Sequence, residues 1–98
     1  MSYQVSVYNE NTTRDNARPI LFVADYGDDS IIHNHIWVCG SIEDLLDVLR
    51  TIYIATRDEI REAFDNDQIL KTKSRNSKLP VEIEMLQILP EHSLIYHD

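Results

Sequence analysis

Apolar and polar residues alternate from Tyr3 to Asn9, with Tyr3, Val5 and Val7 on one side and Gln4, Ser6 and Tyr8 on the other. A period of two predicts a half-buried strand. Glu10 to Arg18 is polar and reads as a loop closed by Pro19, and Ile20 to Tyr26 is a second, more apolar strand. Turn formers crowd Asp25 to Ser30, where Gly27 tolerates a positive φ. Ile31 to Cys39 is a third strand, so the second and third are expected to form a hairpin.

The period then changes. At about 100° per residue, Ile42, Leu45, Leu46, Leu49, Ile52, Tyr53, Ile60, Ala63 and Phe64 fall on one side, with no glycine or proline between residues 42 and 64. This predicts one long helix. Ser41 and Asp44 resemble a capping box at its start, and Glu43 and Asp44 suit the positive end of its dipole. Thr56 with Glu59 offers a second cap, which would split the helix in two. Asp65 to Pro80 is polar and basic and reads as a loop. Val81 to Leu89 alternates again as a fourth strand, and Ser93 to His97 offers a short fifth.

The fold class that follows is α+β. A mainly antiparallel sheet of four or five strands, in the order β-β-β-α-β, carries one long helix on one face. Ninety-eight residues make a single domain spanning 1–98. One helix cannot cover both faces of such a sheet, so one face is left to be explained.

Composition narrows the setting. An apolar content of 43% is that of a folding chain. No stretch approaches the roughly 18–20 apolar residues that cross a membrane. Met1 to Glu10 lacks the basic start and apolar run of a secretory leader, and the single cysteine, Cys39, permits no internal disulfide. A reducing cytoplasm is the expected location. The net charge is −8. Between Asp25 and Asp67 eleven acids face three arginines, whereas Lys71, Lys73, Arg75 and Lys78 form a basic segment. Such an acidic body repels nucleic acid and anionic membranes and favours a basic macromolecular partner.

Four groups of residues are candidates for chemistry. On the helix, Asp44, Asp47, Asp58, Glu62 and Asp65 cluster within about 60° of one another opposite the apolar side. Like charges at these spacings repel, so the stripe has no structural use. A row of carboxylates can instead imitate a phosphate backbone and occupy a basic groove. Asp47–Arg50, Asp58–Arg61 and Arg61–Asp65 pairs would partly neutralise it, and Ile54 adds an apolar contact. On the third strand, alternation puts His33, His35, Trp37 and Cys39 on one face. The two histidines are weak metal candidates that His92, His97 and Asp98 could complete. Asp25, Asp28 and Asp29 match no calcium loop. Lys71 to Lys78 could clamp phosphates but carries no aromatic residue for base stacking. Catalytic motifs are missing from the sequence: it has no glycine-rich phosphate loop, G-x-S-x-G elbow or H-E-x-x-H.

The expected function is therefore that of a small acidic interaction module. It would cover the basic groove of a nucleic-acid-handling protein, as an accessory or viral inhibitor does, through Asp44, Asp47, Ile54, Asp58, Glu62 and Asp65. No cofactor is expected. Two alternatives are a small-ligand or metal module centred on His33, His35 and Trp37 on the sheet face away from the helix, and a structural homodimer pairing its uncovered sheet faces through Phe22, Trp37, Leu86 and Ile88.

Overall fold

The computed structural model describes residues 4–27 and 34–88. The elements run β1 (Gln4–Tyr8), β2 (Ile20–Asp25), β3 (His35–Cys39), α1 (Ile42–Ile52), α2 (Arg57–Asp65), β4 (Leu70–Lys73) and β5 (Pro80–Gln87). The strands form one sheet in the order β1-β3-β2-β5-β4. The fold is α+β as expected, and β2 and β3 pair antiparallel, as the hairpin reading requires. The sheet is mixed, however, because β1 lies parallel to β3.

The parallel pair has a topological consequence. The chain leaving β1 must pass over the end of β3 to reach β2 on its other side. Residues 9–19 make that crossing, and Gly40, the residue after β3, lies beneath them. The Gly40 amide donates to the Tyr8 carbonyl at 3.0 Å, and the Arg18 amide donates to the Gly40 carbonyl at 3.0 Å. A Cβ on Gly40 would stand 2.9 Å from the Thr12 Cβ. The glycine is needed for close approach.

The long helix of the sequence reading is two helices. Tyr53 leaves α1 with φ −120° and ψ 161°, and Thr56 starts α2 through a capping box with Glu59. The Thr56 amide donates to Glu59 Oε1 at 2.8 Å, and the Glu59 amide donates to Thr56 Oγ1 at 3.1 Å. The apolar phase continues across the break because both helices face the same sheet, so periodicity alone did not reveal it. The chain at the break is held from outside. Ile54 donates its amide to the Lys73 carbonyl at 2.9 Å, and Tyr53 bridges to Ser74.

The segment expected to be a basic loop contains β4. Leu70 is buried under the helices while Lys71 and Lys73 are exposed, an alternation too short and too polar to stand out. Lysines on a sheet edge also discourage pairing with other chains. The expected fifth strand, Ser93 to His97, lies outside the described residues.

The helices cover one face of the sheet. Ile20, Phe22, Ala24, Cys39, Val81, Ile83 and Met85 pack with Leu45, Leu46, Leu49, Tyr53 and Ile60. Phe22 stacks on Trp37 at 6.0 Å and meets Tyr53 edge-on at 6.4 Å. Replacing Gly40 with alanine should force the crossing loop off β3 and destabilise the protein by about 1–3 kcal/mol. Chemical denaturation of the variant beside the wild type measures this, and an unchanged midpoint would refute the close-approach argument.

Candidate functional site

The five carboxylates of the expected stripe do not form one surface. Asp44 is fully buried, with 0% exposure. Its Oδ1 accepts the Asn11 amide at 2.6 Å, and its Oδ2 accepts the Ser41 hydroxyl at 2.9 Å and the Thr12 hydroxyl. Ser41 in turn receives the Asp44 amide at 3.3 Å. The apparent capping box is therefore half a cap. The serine caps α1, while the aspartate turns away to hold the crossing loop. Burial pushes the Asp44 carboxyl up, but the hydrogen bonds from Thr12, Asn11 and Ser41 outweigh it and hold the group below its ordinary value.

Asp47 is exposed and accepts the Tyr8 hydroxyl, whose pKa that hydrogen bond pushes up to about 12. Asp58, Glu62 and Asp65 are exposed on α2, so the break assigns them to a different element from Asp47. Ile54 is 43% exposed but sits in the α1–α2 connection rather than on a helix face. The ion pairs expected between these acids and Arg50 or Arg61 do not form. Among the described residues the ion pair present is Arg57 with Glu43, at 3.1 Å.

The histidine strand also differs from expectation. His35, Trp37 and Cys39 do share a face, but registry sets them opposite Ala24, Phe22 and Ile20, on the helix-covered side. The small-ligand reading had them on the open face. His35 stacks on Trp37 at 4.8 Å and hydrogen-bonds Ser6 Oγ through Nε2 at 2.8 Å, and burial lowers its pKa. Burial, with Asp44 nearby, pushes the Cys39 thiol up to about 12, so it is held protonated. His33, His92, His97 and Asp98 lie outside the described residues. Among the described residues no group of three His, Cys, Asp or Glu could hold a metal. Of the third acidic group, Asp25 uses Oδ1 to accept the Gly27 amide at 2.8 Å, a local turn, while Asp28 and Asp29 lie outside the described residues.

A further candidate surface lies on the side of the sheet away from the helices. Registry aligns Val7, Val38, Leu21 and Leu86 in one row across β1, β3, β2 and β5, and Val5, Ile36, Val23 and Glu84 in the next. These side chains point away from both helices. Val5 is 63% exposed, Val7 68% and Leu86 48%. Antiparallel sheets with one wet face ordinarily present polar residues there; here seven aliphatic side chains form a continuous face. Of the residues expected to pair sheet faces, Leu86 lies on it, whereas Phe22 and Trp37 belong to the covered core and Ile88 lies beyond β5. The alternation in β1 carried the signal, yet it could not say that Val5 and Val7 face outward while Ser6 and Tyr8 face the helix side.

A pH dependence follows from Asp44. Because its folded-state pKa is depressed, its stabilising contribution is present above the unfolded-state value near 4 and is lost as pH falls through the folded value. Asp44→Ala should lose about 2–3 kcal/mol at neutral pH by stranding buried donors, and the difference from wild type should shrink in acid. Denaturation midpoints measured between pH 7 and pH 2 test this, and a pH-independent difference would refute it. Among the described residues no helix is long and apolar enough to cross a membrane. No protein-family model matches the chain, and neither does any curated protein or solved structure, so these surfaces are read from their chemistry alone.

Proposed function

We propose that the protein is an interaction module, not an enzyme, and that it self-associates through its open sheet face. The observation that carries this reading is the seven-residue aliphatic face, since apolar surface of this continuity is costly to leave in water and marks contact sites. A second copy of the chain is the occupant that the charges favour. The chain carries −8 overall, yet this side of the sheet holds three carboxylates, Asp25, Glu82 and Glu84, against Lys71 and Lys73. It is close to neutral, so two copies can approach there with little repulsion. A two-fold axis running across the strands would lay the two aliphatic rows of one copy on those of the other. Sheets stacked in this way lie about 10 Å apart, and the helices of both copies face outward.

Sedimentation over a range of concentrations tests the reading. The wild type should be dimeric at tens of micromolar, and Val7→Lys with Leu86→Lys should be monomeric with its secondary structure intact. The two lysines reduce the net charge from −8 to −6, so dissociation would not come from added overall repulsion. A wild type that stays monomeric throughout would overturn the proposal.

A second reading rests on α2. Asp58, Glu62 and Asp65 are exposed and outside the ion pair of Arg57 with Glu43. A net-acidic helix facing outward suits a cationic partner, including the basic groove of a nucleic-acid-handling protein, which the module would inhibit by covering. A lysine- and arginine-rich peptide should bind the wild type at low salt and bind Asp58→Lys, Glu62→Lys roughly tenfold more weakly. Glu82→Lys, Glu84→Lys supplies the charge-matched control. Equal weakening in both variants would reduce the effect to net charge and remove α2 as a site.

A further inference from the structure

Three arginines from separate parts of the chain line one groove: Arg50 from α1, Arg57 from the first turn of α2, and Arg75 from the β4–β5 turn. The groove has a volume of about 500 Å³ and is completed by Asp47, Thr51, Ala55 and Thr56. On a chain of net charge −8, such a gathering of like positive charge needs a reason.

For Arg75 part of the reason is structural. Its Nη2 donates to the carbonyls of Arg50 and Tyr53, both at 2.9 Å, and its amide donates to the Ile52 carbonyl at 2.8 Å. It thereby satisfies carbonyls left free where α1 ends. Those acceptors are neutral, so the guanidinium is fixed in place with its charge uncompensated by a carboxylate. Arg57 is held by Glu43, with Nη2 at 3.3 and 3.1 Å from the two carboxylate oxygens. Arg50 makes no side-chain hydrogen bond or ion pair among the described residues. Asp47, the acid on the groove wall, already accepts the Tyr8 hydroxyl.

We propose that this groove binds a phosphate group, either free or carried by a small phosphomonoester. Guanidinium groups present flat forks of donors that match tetrahedral oxyanions, and charge-assisted bonds of this kind are among the stronger polar contacts. Two of the three arginines are held in position before a ligand arrives, which lowers the ordering cost of binding. Arg50 and Arg75 bring two guanidinium charges that no carboxylate pairs with, which suits an anion, while Asp47 on the wall and the Glu43 paired with Arg57 keep the net positive charge of the groove small. The volume lies within the range of small-molecule sites. The sheet face and α2's acids play no part in this proposal.

Titration calorimetry with inorganic phosphate, and separately with glycerol phosphate, tests it at constant ionic strength maintained with sodium chloride. Both should bind the wild type, the ester more tightly if the groove beyond the anion takes part and equally if only the phosphate is held. Arg50→Gln should weaken either ligand roughly tenfold with its ligand-free melting temperature unchanged, because the exposed Arg50 side chain makes no hydrogen bond or ion pair among the described residues. Amide shifts on phosphate addition should centre on residues 50–57 and 75. No binding at millimolar phosphate, or equal affinity in Arg50→Gln, would overturn the proposal.

Discussion

The architecture depends on how one buried carboxylate is satisfied. Asp44 takes hydrogen bonds from the Asn11 amide and from the Thr12 and Ser41 hydroxyls, joining the crossing loop to the start of α1. A buried charge without partners is strongly unfavourable. The carboxylate and the loop therefore require each other. Gly40 supplies the space beneath, and the Tyr8 and Arg18 backbone bonds close the arrangement on both sides. With the loop held there, β1 lies parallel to β3 at the sheet edge, and Val5 and Val7 join the aliphatic rows of the open face.

The second joint of the molecule lies at the opposite end of α1. Arg75, from the β4–β5 turn, donates to the carbonyls of Arg50 and Tyr53, while Ile54 pairs with Lys73 across the break. The two helices are thus tied to the far edge of the sheet, and the tie gathers three arginines at one groove. Both joints are polar contacts between residues distant in sequence. Each sets the geometry of a surface: the crossing loop that of the aliphatic face, and the Arg75 tie that of the groove.

The aliphatic face lies on the side of the sheet away from both helices, whereas the α2 acids and the arginine groove belong to the helical layer. Sheet-to-sheet association would leave the helical layer and the groove accessible in both copies. The proposals are therefore compatible, and each has its own chemistry: apolar burial, attraction of cations and capture of an anion.

Much of the local structure was legible in the residues. Period-two alternation located β1 and β5, an apolar run located β2 with β3 after the turn that follows it, and period 3.6 located the helical region with its buried Leu45, Leu49, Tyr53 and Ile60. The Thr56–Glu59 cap also marked the α2 start as an alternative. These signals are local, set by side-chain direction along one element. Which side of a strand faces the helices is different in kind. Registry with neighbouring strands decides it, so Trp37 and His35 went inward while Val5 and Val7 went outward. Nor could helical-wheel spacing separate Asp44 from Asp47. Asp44 is buried because a loop more than thirty residues earlier in the chain returns to donate to it. Sequence alone determined the strands other than β4 and the amphipathic helical side. Tertiary structure decided the parallel edge, the open apolar face and the arginine groove, because those depend on contacts between segments whose separation along the chain carries no periodic signal.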